Sequence, residues 1–261
     1  MWFPVLALVA CGASPLPATT MSEGTPFVGV GGTPAYGGYV SVQEYQRYDA
    51  MDAMAGWQHD DAAVRAHLDL REGMAVAEVG CGPGPWLRAF AETVGPTGTV
   101  FEVDVDPNAL AFIERRLARV ARLTGKPLAN VRTVQSTFTD VRLPPASIDR
   151  AYLQEVHNYV FLPLDTDAAR ARARYENEQG AWTLSLHTAL RPGGRLLIEE
   201  MLPAANPGAV YGQAEVARFI EGTGLFRRVP AELPSADRRY LLAFERIDPT
   251  PGAAGSSAEP R

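Results

Sequence analysis

Lysine is almost absent from this chain of 261 residues, because Lys126 stands alone and every other basic residue is arginine. A Schiff-base mechanism through a lysine amine is therefore excluded at every other position. Cysteine is nearly as scarce: only Cys11 and Cys81 occur, and their spacing forms no CxxC pair. This excludes a disulfide scaffold and a cysteine-based zinc cluster, and no metal site is predicted.

An excess of positive charge is also missing, and so is an apolar run of membrane-spanning length at the N-terminus. The 30 acidic residues outnumber the 24 basic ones and give a net charge of −6, which argues against a nucleic-acid coat or a polybasic membrane binder. With 46% apolar and 21% charged residues, the composition is that of a globular protein, which excludes global disorder and a multi-span membrane protein.

The N-terminus carries a short apolar segment, residues 2–10, whose length fits the hydrophobic region of a signal peptide. It ends in Leu8-Val9-Ala10-Cys11, which resembles a bacterial lipobox, although no basic residue precedes it. We expect 1–11 to be a lipoprotein signal segment, with lipid on Cys11 and a place in the cell envelope. The alternative is a cytoplasmic protein, for which Met21 is one candidate start.

The two flanks of the chain are poor in residues that build a core. Gly, Pro, Ser and Thr occupy 17 of the 27 positions from 12 to 38. Such segments bury too little apolar area to offset their ordering entropy. We therefore predict a flexible tether over 12–39, a folded domain over 40–248 and a disordered tail over 249–261.

Strand and helix patterns alternate through the folded region, which predicts βαβ units and a mostly parallel sheet covered on both faces. The last two strands are separated by about ten residues without a helical pattern, which favours an antiparallel edge. The predicted strands are 75–79, 99–104, 130–135, 148–154, 195–200, 226–229 and 240–246. The predicted helices are 42–55, a short one from Asp60-Asp61, 86–94, 107–123, 168–190 and 213–221.

The most informative motif is the loop Glu78-Val79-Gly80-Cys81-Gly82-Pro83-Gly84, between a predicted strand and a predicted helix. Glycine allows the turn and the close approach of a ligand to the backbone. The spacing ExGxGxG differs from the GxGxxG of dinucleotide-binding proteins. Asp104 ends the next strand, about 20 residues farther on, where a carboxylate accepts hydrogen bonds from ribose hydroxyls. Asp106, before Pro107, fits a helix N-cap better.

The chain resembles class I S-adenosylmethionine-dependent methyltransferases over residues 70–246. Five segments match the family in order: 70–74, 78–84, 100–107, 143–149 and 190–195. The resemblance implies a Rossmann-like α/β fold with seven strands in the order 3-2-1-4-5-7-6, strand 7 antiparallel and helices on both faces. It implies S-adenosylmethionine as cofactor. The cofactor residues that we expect from the resemblance are Glu78, Gly80, Cys81, Gly82, Gly84, Asp104, Val105, Phe138, Asp140 and Gln154.

Within this resemblance Glu78 holds the methionine part of the cofactor or is a buried strand-end acid. Asp140 is expected at the adenine amino group, and Phe138 either stacks on adenine or packs in the core. Glu155 and His157 follow strand 4, where the family faces its methyl acceptor, and they are the candidate general bases. For His157 a hydrogen-bonded loop residue is the alternative.

The sequence also makes two predictions about charged side chains outside the matched loop. Glu199 and Glu200, at the end of strand 5, are expected at a solvated strand end. A run of arginines on one long helix is expected on a solvated face: Arg115, Arg116, Arg119 and Arg122.

The predicted function is methyl transfer to an unidentified, small acceptor. A protein that binds S-adenosylmethionine or its demethylated product without catalysis is one alternative, since the leader implies export away from the cytosolic cofactor supply. A nicotinamide-dependent oxidoreductase is the other. It calls for a glycine at position 85, where this chain has Pro85, and for a Tyr-xxx-Lys site, which this chain lacks.

Overall fold

The computed structural model of the protein describes residues 27–28, 34–35, 47, 48, 50, 51, 61–157, 168–202, 211–231 and 238–248. For 27–28, 34–35 and 168–177 only the backbone is described. The strands are β1 (Phe27–Val28), β2 (Pro34–Ala35), β3 (Ala75–Val79), β4 (Thr99–Asp104), β5 (Val131–Gln135), β6 (Ile148–Gln154), β7 (Leu190–Met201), β8 (Phe226–Val229) and β9 (Arg239–Arg246). The helices with described bounds are α1 (Ala62–Leu68), α2 (Leu87–Val94), α3 (Pro107–Thr124), α4 (Ala168–Ala189) and α5 (Gln213–Gly222).

Seven of the strands form one sheet in the order β5-β4-β3-β6-β7-β9-β8. Strands β3 to β7 pair in parallel, whereas β9 is antiparallel to both β7 and β8. Numbered from β3 onward this order is 3-2-1-4-5-7-6 with the last strand antiparallel, so the predicted fold class and the antiparallel edge are confirmed.

The sheet is covered on both faces because alternate residues of each buried strand point to opposite sides. On one face Val76 and Val100 pack with apolar residues of α1, α2 and α3. On the other face Ala77 and Val103 pack with apolar residues of α4 and α5. The resulting three-layer α/β sandwich leaves the carboxyl ends of the parallel strands free to build a site.

Asp61 and Asp106 begin α1 and α3 as N-caps. The sequence predicts the cap at Asp106 and a helix start near Asp60-Asp61. The carboxylate of Asp106 accepts a hydrogen bond from the Asn108 amide at 2.7 Å, next to Pro107 at the first helical position. The carboxylate of Asp61 accepts from the amides of Ala63 and Val64. Asp61 also accepts from Arg239 of β9 at 2.9 Å, so α1 is tied to the far side of the sheet.

Replacing Asp61 with alanine is expected to lower the free energy of unfolding by about 1–2 kcal/mol, because α1 loses its N-cap and Arg239 loses a partner. Asp61→Ser, which keeps a capping oxygen but not the ion pair, is expected to lose about half of that or less. Equilibrium urea unfolding measures both. Equal losses in the two variants would contradict the assignment of the cap as the larger contribution.

The predicted turn before strand 5 and the predicted start of that strand are wrong. The sequence predicts a turn at residues 193–194 and a strand from 195, but β7 already begins at Leu190, which pairs with Ile148. The pairing register between β6 and β7 shifts at this point, because Ile148 pairs with Leu190 whereas Arg150 pairs with Arg195. Gly193 lies in the intervening part of β7 and has a φ of 73°. The start of β7 is irregular and contains a glycine at positive φ, which is also the local sequence of a turn. The sequence therefore does not distinguish the two.

Several predictions fall on residues that are not described. The signal segment with Cys11, the tail 249–261 and most of the predicted helix 42–55 lie outside the described residues. Residues 47, 48, 50 and 51 of that helix are helical. Within the predicted tether, β1 and β2 form a two-residue antiparallel pairing. In the part of the chain that the structure describes, no helix is both long and apolar enough to cross a membrane.

Candidate functional site

A cavity of about 290 Å³ opens at the carboxyl ends of the parallel strands. It lies where the chain changes direction in the sheet, since β4 and β5 extend to one side of β3 and β6 to the other. In open α/β sheets this switch point is the usual place for a ligand. The lining residues come from the ends of β3, β4, β5 and β6 and from two aromatic residues: Tyr48, Glu78, Val79, Gly80, Cys81, Gly82, Pro83, Pro85, Asp104, Val105, Asp106, Ala109, Ser136, Thr137, Gln154, Glu155, Val156 and Trp182.

The glycine loop forms one wall of the cavity and is held against β4 by backbone hydrogen bonds. The amides of Gly80 and Cys81 both donate to the carbonyl of Val103, at 2.7 and 3.1 Å. Gly80 has a φ of 70°, and its Cα lies against the side chain of Val156. A side chain is therefore excluded at position 80 by the backbone conformation and by packing together.

Asp104 fixes the loop to the end of β4. One carboxylate oxygen accepts from the Gly82 amide at 2.8 Å, and the other accepts from the Asp106 amide at 2.8 Å. Only 6% of Asp104 is exposed, and this burial raises its pKa to about 6. The carboxylate lines the cavity and keeps lone pairs for further donors, as ribose hydroxyl groups would supply.

Beneath the loop, Glu78 and Glu102 occupy opposite positions on β3 and β4, with exposures of 2% and 0%. Burial raises the pKa of Glu102 to about 7. Burial, together with the neighbouring Glu102 charge, raises the pKa of Glu78 well above its usual range. Glu78 lines the cavity, whereas Glu102 lies directly behind it. The sequence does not predict a role for Glu102, because a glutamate in a six-residue strand carries no sign that its partner on the next strand is also an acid.

A buried arginine stands beside this carboxyl pair. Arg116 is 1% exposed, and its guanidinium group donates to the carbonyls of Pro83 and Gly84 at 2.5 Å. The positive charge of Arg116 opposes the rise in the pKa of Glu102. The guanidinium also lies 5.2 Å from the centre of the Tyr48 ring. The prediction that Arg116 lies on a solvated face is therefore wrong, because α3 turns this one arginine toward the loop.

Gln154, at the end of β6, lines the cavity and belongs to a second buried network. Its amide donates to Glu199 at 3.3 Å, and the Tyr152 hydroxyl donates to the same carboxylate at 2.6 Å. Arg239 donates to Glu199 at 2.6 Å. Glu199 and Glu200 are 0% and 2% exposed, so the predicted solvated strand end is wrong for both. Three strands converge there, which the pattern of one strand does not reveal.

The structure corrects the expected adenine contacts. Asp140 is exposed and does not line the cavity; its carboxylate accepts from the Ser185 hydroxyl at 3.1 Å and the Arg142 amide at 2.7 Å. Phe138 is not among the lining residues either. The chain turns between Thr137 and Asp140, where the Thr137 amide donates to the Asp140 carbonyl at 2.8 Å. This turn carries both side chains past the cavity and leaves Ser136 and Thr137 at its wall.

Gly84, another expected cofactor residue, is also outside the cavity lining. It packs against Ile113 and Arg116 of α3, and its φ is 67°. Its place in the loop is explained by close packing of the loop on the helix. The other expected cofactor residues all line the cavity: Glu78, Gly80, Cys81, Gly82, Asp104, Val105 and Gln154.

The two candidate bases have different environments. Glu155 lines the cavity, has a φ of 53° and donates its amide to the Glu199 carbonyl at 2.8 Å. His157 is fully buried, contacts Gln179 through its ring and does not line the cavity. Burial lowers the pKa of His157 to about 3. Glu155 is therefore accessible from the cavity, and His157 is not.

The charge of the cavity wall is strongly one-sided. Four carboxyl groups line it, from Glu78, Asp104, Asp106 and Glu155. Among the described lining residues there is no arginine, lysine or histidine. One oxygen of Glu78 is buried without a hydrogen-bond partner among the described groups. Such a wall suits a cationic ligand and is unfavourable for the pyrophosphate of a dinucleotide.

No group of three or more His, Cys, Asp or Glu residues that suits a metal ion occurs among the residues described by the structure. S-adenosylmethionine fits the residues that are present. It brings a ribose for Asp104, and an ammonium and a sulfonium cation for the acidic wall.

Comparison with known proteins gives matches to methyltransferases. Residues 76–180 match the family model described as a methyltransferase domain. A demethylmenaquinone methyltransferase from Geobacillus sp. is 26% identical over 117 residues, covering 42% of this chain and 46% of that protein. A ubiquinone/menaquinone biosynthesis C-methyltransferase from Cupriavidus metallidurans is 25% identical over 210 residues, covering 79% of this chain and 75% of that protein.

The fold is also that of a solved S-adenosylmethionine-dependent methyltransferase from Aquifex aeolicus, with a TM-score of 0.56 and 18% identity. That match covers 78% of this chain and 98% of the other. The chain spans less than half the length of the first of the curated relatives above. Residues 76–180 therefore match a methyltransferase domain, and the sheet has the fold of a solved S-adenosylmethionine-dependent methyltransferase.

Proposed function

We propose that this chain transfers the methyl group of S-adenosylmethionine to a small, apolar or aromatic acceptor. The observation that carries the proposal is the acidic cavity at the switch point of the sheet, whose wall contains the carboxyl groups of Asp104 and Glu78. A ligand in which a ribose is followed by two cationic groups matches these carboxyl groups.

When bound, S-adenosylmethionine supplies a methyl group bonded to a positively charged sulfur, which becomes a neutral thioether when it loses that methyl group. Asp104 and the glycine loop orient the nucleoside, and Glu78 attracts the cationic part of the cofactor. Because the leaving group is already activated, alignment and the exclusion of water supply much of the rate enhancement. The buried residues around the loop provide both.

The acceptor side of the cavity supports a small aromatic substrate. Trp182, Tyr48 and Val156 contribute apolar surface to the same cavity that contains Glu155. Relatives named for quinone biosynthesis are C-methyltransferases, and a carbon acceptor of that kind must lose a proton. We propose Glu155 as the group that takes this proton, and quinols and phenols as the first acceptors to assay.

Two measurements on the purified chain test the proposal. Isothermal titration compares S-adenosylmethionine, S-adenosylhomocysteine and NAD, and we expect only the first two to bind. Transfer of labelled methyl groups to a panel of quinols, phenols and small amines then tests turnover. Tighter binding of NAD would overturn the cofactor assignment. Binding of the two sulfur compounds without turnover on any acceptor would favour the non-catalytic alternative.

Replacing Glu155 with glutamine is expected to lower kcat at least about tenfold, because the amide has no basic oxygen to take the acceptor's proton. The dissociation constant for S-adenosylmethionine should change little. Steady-state rates against pH and titration of the cofactor separate the two quantities. An unchanged kcat with a weakened cofactor affinity would instead place Glu155 on the cofactor side of the cavity.

A further inference from the structure

When both are ionised, the buried carboxyl groups of Glu78 and Glu102 carry more negative charge than the neighbouring positive groups and hydrogen-bond donors compensate. Three of the pair's four carboxylate oxygens, Glu78 Oε2 and both oxygens of Glu102, are buried and accept no hydrogen bond from a described N–H or hydroxyl group. The two carboxyl groups instead interact with each other, and Glu102 also interacts with the Cys81 thiol. Two carboxylates on neighbouring strands, both removed from water, are costly to ionise together. The pair therefore holds a proton at neutral pH unless a cation comes close.

The charged and titratable groups that face the pair come from every element around it. They are Cys81 of the loop, Asp104 of β4, Tyr152 of β6 and Arg116 of α3. Cys81 and Tyr152 are neutral, because burial raises the pKa of the thiol and of the phenol well above their usual ranges. Arg116 supplies one positive charge, and Asp104 adds a negative one. Each further positive charge at the cavity wall makes the pair easier to ionise.

We propose that Glu102, acting through Glu78, makes the cavity select the positively charged methyl donor over its neutral, demethylated product. This inference rests on the proposed function and adds a residue that does not itself line the cavity. S-adenosylmethionine and S-adenosylhomocysteine share the adenosine, the carboxylate and the ammonium group. They differ by one methyl group and by the positive charge on sulfur, so a negative charge behind Glu78 favours the donor and promotes release of the product.

The test is the ratio of the dissociation constants of the two compounds, measured by titration between pH 6 and 7.5. In the native protein the preference for the donor should rise with pH, because the pair loses its proton. Glu102→Gln should reduce that preference about tenfold at pH 7.5 and make it nearly independent of pH. Ionisable groups of the two ligands lose protons in the same way with the native protein and with Glu102→Gln, so their contribution cancels when the two proteins are compared. Glu92→Gln, at an exposed site of α2, is the matched control and should behave as the native protein.

A second measurement uses only the native protein, so it does not depend on the folding of a variant. Titrations at pH 6.5 in phosphate and in imidazole, whose ionisation enthalpies differ, give the number of protons released on binding. We expect the donor to release more protons than the product does.

The outcomes separate the two proposals. If neither compound binds the native protein, the proposed function fails. If both bind, but proton release is equal and Glu102→Gln keeps the native ratio, this inference is overturned and the proposed function stands. A reduced ratio in Glu102→Gln together with unequal proton release supports it.

Discussion

Replacing Asp104 with alanine is expected to lower the affinity for S-adenosylmethionine about 10²-fold, because a buried carboxylate that accepts from two ribose hydroxyls makes two charge-assisted hydrogen bonds. Asp104 also accepts from the amides of Gly82 and Asp106, so the variant loosens the loop as well. Isothermal titration measures the loss. Asp106→Ala removes the N-cap of α3 and should weaken binding much less; equal losses at both positions would contradict the assignment.

The same carboxylate predicts a pH dependence with a definite sign. Burial raises the pKa of Asp104 to about 6 in the free protein, and hydroxyl donors favour the ionised form. Affinity for S-adenosylhomocysteine, which lacks the charge on sulfur, should therefore fall as the pH drops through 6, by about tenfold per pH unit at the limit. S-adenosylmethionine carries the same ribose and should show the same loss, added to the pH dependence that the Glu78–Glu102 pair gives it. With S-adenosylhomocysteine, Asp104→Ala should not show this fall, and a persisting slope in that variant would assign the titration to another group.

The free energy of unfolding of the cofactor-free protein should decrease as the pH rises through the same range. A carboxyl group with a raised pKa in the folded state stabilises the fold below its unfolded pKa, and this contribution is lost as the pH rises through the folded value. For Asp104 and Glu102 those values are about 6 and about 7. The free protein thus bears a cost at neutral pH for carboxylates that the cofactor needs in their charged form. Natural sites commonly combine such local instability with function.

The sequence predicted the glycine loop and Asp104 because both depend on local geometry. Glycines at a strand end, and an acid at the end of the next strand, face the same edge of a parallel sheet whatever the rest of the chain does. Six of the seven predicted strands begin and end within one residue of the observed ones. The four parallel strands among them are short runs bounded by turn residues, which a sequence pattern shows directly. Asp140 and Phe138 were misplaced because the turn after β5 is decided by contacts with α4, distant in sequence.

The buried charges could not be predicted from their own segments. Glu102, Arg116 and Glu199 each lie in an ordinary strand or helix pattern, and only their neighbours on other elements explain their burial. Arg116 meets the loop carbonyls across 32 residues, and Glu199 meets Tyr152 across 47. When each strand or helix is considered by itself, its charged side chains are predicted to be exposed to solvent, because isolated charges are seldom buried. Their pairing is a property of the assembled sheet.

Replacing Gly80 with alanine is expected to lower the free energy of unfolding by about 3 kcal/mol or more and to weaken cofactor binding with it. A methyl group on Gly80 lies 2.5 and 2.7 Å from the two γ-carbons of Val156, and the φ of 70° is itself unfavourable for alanine. Gly193→Ala is the matched control, because its φ is 73° but nothing lies within 4 Å of the added carbon.

Denaturant unfolding of both variants separates the two causes of that loss. The control should lose only the backbone cost, about 1–2 kcal/mol, and should bind the cofactor as the native protein does. Adding Val156→Ala to Gly80→Ala should restore part of the stability, so that the double variant loses less than the two single losses added together. If Gly80→Ala and Gly193→Ala lost the same amount, the contact with Val156 would contribute nothing. The loop would then need glycine at position 80 only for its backbone conformation.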